Sequence, residues 1–131
     1  MRFMVMIKAS SASEAGTPPS QELMAAMGRF AEEMTRSGAM LSSEGLLPSS
    51  TGTRIRYAAG KRTLIDGPFA EAKELIGGFA IIRASSKDEA VALADRVVQI
   101  HIDAGIRELE MEIRPLFDAG CSEPQKRQVR P

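Results

Sequence analysis

Two short runs, Phe3-Met4-Val5-Met6-Ile7 and Phe79-Ala80-Ile81-Ile82, are apolar at every position, and this restricts the fold more than any other feature of the chain. Successive side chains of a strand point to opposite faces, so a strand with one wet face alternates polar and apolar residues. A run that is apolar on both parities needs cover on both sides. Neither run is long enough to span a membrane or serve as a secretory signal. Both are expected as interior strands of a sheet, the first extending from Arg2 to Lys8.

The segments around them supply the cover. Ser20 is placed to cap a helix in which Leu23, Met27, Phe30 and Met34 recur at helical spacing, and Gly38 ends it. Ser86-Lys87-Asp88-Glu89 has the serine and glutamate of a capping box, followed by a stripe of Ala90, Leu93, Ala94 and Val97. Residues 39–44 resume as a strand with Met40 and Leu41 as its apolar members, and 45–50 break it. Thr53-Arg54-Ile55-Arg56-Tyr57, a turn at Ala59-Gly60, and residues 61–65 form a hairpin. Residues 107–114 alternate, with Leu109, Met111 and Ile113 on one face and Glu108, Glu110, Glu112 and Arg114 on the other. Residues 9–19 are small, polar and proline-bearing, and are expected as a surface loop, with the wall or lid of a pocket as the alternative.

In order, these elements give an α+β, ferredoxin-like βαββαβ unit with an inserted hairpin before the second interior strand. Both helices then cover one face of an antiparallel sheet and leave the other bare. A second copy of the chain is the economical cover, so the expectation is a homodimer with its sheets face to face. A chain of 131 residues, 44% hydrophobic, suits one core. The domain is expected over residues 1–117, with 118–131 as a polar tail, disordered or packed on the partner. Seventeen basic and seventeen acidic residues cancel, which argues against nucleic acid or an anionic membrane as partners. One cysteine, Cys121, forms no internal disulfide, and the expected location is the cytoplasm. With a single histidine, His101, no metal site and no cofactor are signalled. His101 itself falls near the end of the second helix, where it either answers the helix dipole or covers the core.

Chemistry is concentrated in Asp66-Gly67-Pro68-Phe69-Ala70-Glu71-Ala72-Lys73-Glu74. Pro68 fixes its own φ and has no N–H, and Gly67 before it is driven out of the helical region, so strand pairing stops near Asp66. Pro68 also suits the first position of a short helical turn reaching Glu74, capped by Asp66 or Gly67. Asp66 then either holds the turn through its carboxylate or faces a pocket as an acid or base. Glu44, at the end of its strand, is a candidate to join it across a shared cavity. Tyr57, Phe69, Glu71 and Lys73 complete the candidate pocket.

These residues, with Met1-Arg2-Phe3-Met4-Val5-Met6-Ile7, Ser43-Glu44-Gly45-Leu46, Gly77-Gly78-Phe79 and Glu112-Ile113-Arg114-Pro115, resemble the DGPF-domain branch of the YCII-related family. The resemblance runs to Leu116. It implies a dimeric α+β barrel built from ferredoxin-like halves. Members of the wider family carry a histidine near the first helix and an aspartate in a DPF motif, proposed as a catalytic pair, and relatives include a dehydrochlorinase. Asp66 matches that aspartate. The histidine has no counterpart, since Ser20, Gln21 and Glu22 open the first helix here. Two functions stay open: a cofactor-independent lyase or isomerase on a small organic molecule with Asp66 as acid or base, and a non-catalytic ligand-binding or regulatory module. The resemblance links the second to sigma-factor transcription systems. A purely structural role for the motif is compatible with either.

Overall fold

In the computed structural model, which describes residues 1–71 and 74–117, the two apolar runs lie side by side as β1 (Arg2–Lys8) and β5 (Ile76–Arg83). They form the centre of a four-stranded antiparallel sheet, with β2 (Met40–Gly45) on the outer side of β5 and β6 (Met111–Pro115) on the outer side of β1. This is the ferredoxin-like strand order. Strands β3 (Thr53–Ala58) and β4 (Lys61–Asp66) pair only with each other and form a separate hairpin.

Two long helices, α2 (Gln21–Arg36) and α3 (Lys87–Asp103), meet the sheet from one side. Ser20 and Ser86 cap them as the sequence predicts, each accepting from the backbone N–H three residues on. Register decides which strand residues face the helices. Phe3 stands opposite Ile82 and Pro115, and Val5 opposite Ala80 and Ile113; Phe3, Val5, Ile82, Ala80 and Ile113 pack with Ala84, Ala90 and Ala94 in the core. Phe30, Met34, Met40 and Val97 form its other half. Between the two halves lies a void of about 30 Å³ walled entirely by apolar side chains, Val5, Phe30, Ala80 and Leu93 among them. It offers no polar partner to a water molecule and is therefore dry.

The alternate residues Met4, Met6, Phe79 and Ile81 fall on the opposite face, outside the core that α2 and α3 cover, and are half-buried. Glu112 crosses from β6 beside Met6 on that face, gripped by Lys8 Nζ at 3.3 Å and Arg114 Nε at 2.5 Å. The bonds to Arg114 and then Lys8 hold its carboxyl below the ordinary glutamate range.

Three expectations change. Residues 107–110 are not strand, and β6 begins at Met111, because its partner β1 ends at Lys8; past the bond from Lys8 N–H to the Glu110 carbonyl there is no ladder to join. Pro115 is the last residue of this edge strand. Residues 9–19 are not all loop, because Ser11–Glu14 form one helical turn, α1, with Ser10 and Ser13 exchanging side-chain to backbone bonds at 2.9 and 3.0 Å. Leu41 is largely exposed while Met40 is buried, as β2 slips register between Met40 and Ser42. Lys73 and residues 118–131, with Cys121, lie outside the described residues.

Candidate functional site

The hairpin turn sets the position of Asp66. Ala59 and Gly60 both have positive φ, 52° and 76°, the combination that lets a two-residue turn match the twist of the flanking strands. Counting outward from that turn pairs Ala58 with Lys61 and, at the far end, Thr53 with Asp66. Cross-strand partners share a face, and the Thr53 hydroxyl donates to Asp66 Oδ1 at 2.9 Å. The side chain is exposed, and among the described residues no donor is bonded to its second oxygen. It therefore caps no helix. The Gly67–Pro68 peptide is cis, residues 68–71 are not helical as expected, and the Glu74 N–H donates to the Glu71 carbonyl at 2.9 Å.

Beyond Asp66 the chain is pinned to the body. The Gly67 N–H donates to the Gly52 carbonyl at 2.9 Å, and the Phe69 N–H donates to Ser49 Oγ at 3.1 Å. Ser49 opens a 3₁₀ turn (Ser49–Thr51), and its own donors both go to Glu14: the backbone N–H to Oε2 at 2.9 Å and the hydroxyl to Oε1 at 2.5 Å. One carboxylate on α1 thus orders the turn that in turn holds the Asp66-Gly67-Pro68-Phe69 corner. Arg54, on the face of β3 opposite Ile55, lies over the Phe69 ring at 3.9 Å from its centre, a cation–π contact in place of a solvated charge.

Glu14 was not among the residues singled out from the sequence. Its partner is 35 residues away and its helix is a single turn; the Ser10-x-x-Ser13 spacing is the one local sign that residues 9–19 are ordered. The Thr53–Asp66 pair, by contrast, follows from counting back from Ala59-Gly60.

The two Ser49 bonds, side chain first and then backbone, hold the Glu14 carboxyl below the ordinary value near 4.5. A lowered folded-state value stabilises this junction above the ordinary glutamate range, and the contribution is lost as pH falls through the folded value. Hydrogen exchange at the Ser49 and Phe69 amides, compared between pH 7 and pH 3 after correction for intrinsic rates, should show their protection falling in acid. In Glu14→Gln the same protection should be low at both pH values.

The other candidates disperse. Phe69 is half-buried in the corner. Tyr57 is 70% exposed on the hairpin, with Arg62 at 5.8 Å from its ring centre, and Glu71 is exposed. Glu44 stands opposite Phe79 on the bare face of the sheet, and no described interaction joins it to Asp66. Neither residue lines the internal void, nor the surface groove of about 370 Å³ between α2 and α3 bordered by Arg29, Glu33 and Arg96. Among the described residues, the side chains of α2 and α3 close the space between sheet and helices down to the small void, which does not hold Asp66. His101 Nδ1 donates to the Val97 carbonyl one turn back at 2.8 Å, so the ring serves its own helix. Among the described residues no cluster of three metal-ligating side chains forms, and no helix is long and apolar enough to cross a membrane.

Residues 1–109 match the YCII-related domain. The chain belongs to the YCII-related family. An uncharacterised protein of Rhizobium meliloti (strain 1021) is 37% identical to this YCII-related chain over 71 residues, 54% of each sequence. The chain thus spans about half the length of that curated relative. Among solved structures, 5-chloro-2-hydroxyhydroquinone dehydrochlorinase from Burkholderia phenoliruptrix AC1100, in complex with 2,5-dihydroxybenzoquinone, is 18% identical with a TM-score of 0.45, covering 86% of this chain and 91% of that one.

Proposed function

We propose that this YCII-related protein, of the DGPF branch, is a cofactor-independent lyase or isomerase acting on a small organic molecule, with Asp66 as its acid–base group and a second copy of the chain closing the site. The observation that carries this reading is the hold on Asp66. One carboxylate oxygen is fixed by Thr53 at the last pair of a registered hairpin, and the other has no donor among the described residues. A carboxylate oriented through one oxygen keeps the other for proton transfer. Phe69, Glu71 and Lys73 follow it closely in sequence and Tyr57 shares its face of the hairpin, and these side chains offer a wall or a charge.

Closure by a partner is supported by the sheet. Met4, Met6, Phe79 and Ile81 form an apolar face outside the α2–α3 core and stay partly exposed, and Glu44 stands at its margin. A two-fold pair of such faces makes a homodimeric α+β barrel, whose interior supplies an enclosed space.

The test is Asp66→Asn, which keeps the size and the bond from Thr53. Against carbonyl compounds with acidic C–H bonds, the class on which a lone carboxylate base acts, turnover should fall by about 10²–10⁴-fold with little change in melting temperature. Equal turnover by variant and native protein would sink the assignment. The exposure of Asp66 in the single chain favours a second reading, a ligand-binding or regulatory module in sigma-factor systems. In that case a compound raises the melting temperature without being consumed.

A further inference from the structure

The β3–β4 hairpin is the least explained part of the fold. Every residue of β3 is exposed, and in β4 Ile65 alone is half-buried. An isolated two-stranded hairpin is marginal in water, and this one also presents apolar surface. Register places Ile55 opposite Leu64 and Tyr57 opposite Arg62, so Ile55, Leu64 and Tyr57 share one face, each 70% exposed. Such a patch, on an arm that adds nothing to the core of its own chain, is a contact surface.

Charge identifies what it contacts. The arm carries Arg54, Arg56, Lys61 and Arg62 against Asp66 alone, whereas the rest of the described chain has fourteen carboxylates against nine basic side chains. A neutral chain divided into a basic arm and an acidic body is complementary to itself. In a two-fold pair, the operator that lays one arm on the second body lays the second arm on the first.

We propose that the β3–β4 hairpin is a clasp that reaches onto a second copy of this chain, seating Ile55, Tyr57 and Leu64 on it while Arg62, on the same face, meets its acidic surface. This rests on the dimer invoked above and adds to it a contact distinct from the sheet face. The clasp places Tyr57 and the root of the hairpin, where Asp66 lies, at the junction of the two copies.

Sedimentation equilibrium of the full chain tests it, with native protein, Ile55→Ser/Leu64→Ser and Arg62→Glu at low and high salt. All three side chains are exposed, so circular dichroism should show both variants folded. The dimer dissociation constant should rise at least tenfold in each variant, and added salt should weaken the native dimer but not the charge-reversed one. An unchanged constant in both variants overturns the clasp. Ile81→Lys, on the bare face of the sheet, separates the two ideas. If it dissociates the dimer while the hairpin variants do not, the clasp fails and the sheet pairing stands; a native protein monomeric at every concentration overturns both.

Discussion

Replacing Gly67 by alanine is expected to tear the Asp66 corner away from the body of the protein. A Cβ built on Gly67 would stand 1.8 Å from the Ser49 carbonyl oxygen and 2.7 Å from its carbon. Both are backbone atoms, so no rotamer change relieves the clash, and one of the two segments must move. The Ser49–Thr51 turn is held by Glu14 through two bonds and by its own bond from the Gly52 N–H, so the corner is the segment that gives way. Its movement breaks the bond from Gly67 to Gly52 and that from Phe69 to Ser49, a loss of about 1–3 kcal/mol in local stability for two hydrogen bonds. Hydrogen exchange should report this as lost protection at the Gly67 position and at Phe69, while β1 and β5 stay protected. If Asp66 works from this corner, turnover falls in Gly67→Ala although every polar side chain is still present. Retained protection at Phe69 would mean that the corner holds without the contact described.

That requirement for glycine explains what the sequence conveys and what it withholds. The runs from Phe3 and from Phe79 are legible as interior strands because their two-sided apolar pattern has one solution, and Ser86 and Glu89 mark a helix start because capping is a local reaction of the chain with itself. Glu89 shows the limit of even that reading: Ser86 caps as expected, but the Glu89 carboxylate takes the N–H of Ser85 rather than that of Ser86. The corner is different in kind. Gly67 is glycine because of Ser49, and Ser49 is ordered by Glu14, contacts that span long stretches of chain and leave no periodic trace. Proline at 68 correctly signals that pairing stops at Asp66, yet the reading of Pro68 as the first residue of a helix fails, since that inference weighs local preference and not the anchor at Ser49. The length of β6 is not legible for a similar reason: alternation from Leu109 to Ile113 shows which residues can share a face, whereas strand length is decided by where β1 ends.

The two phenylalanines of the central strands should behave differently, and the difference separates core from interface. Phe3 is fully buried against the helices. Truncation to alanine removes a ring from a close-packed site and leaves a cavity, at a cost of about 3–5 kcal/mol. Domains of this kind are stable by roughly 5–15 kcal/mol, so Phe3→Ala should lose about a fifth of that stability or more, read as a large drop in the urea midpoint that is the same at every protein concentration. Phe79 is adjacent in the same sheet, opposite Met6 and Glu44, but points to the face without helices and is only half-buried in one chain. If a second copy covers that face, its ring is buried by association rather than by folding, and Phe79→Ala should cost little at low concentration and progressively more as the native protein becomes dimeric. A midpoint for Phe79→Ala displaced equally at all concentrations would mean that the ring is already covered within the chain, and the bare face would then lose its claim to be an interface. The same titration bears on Asp66, because an active centre that needs two copies loses activity on dilution along the dissociation curve, whereas a site complete in one chain does not.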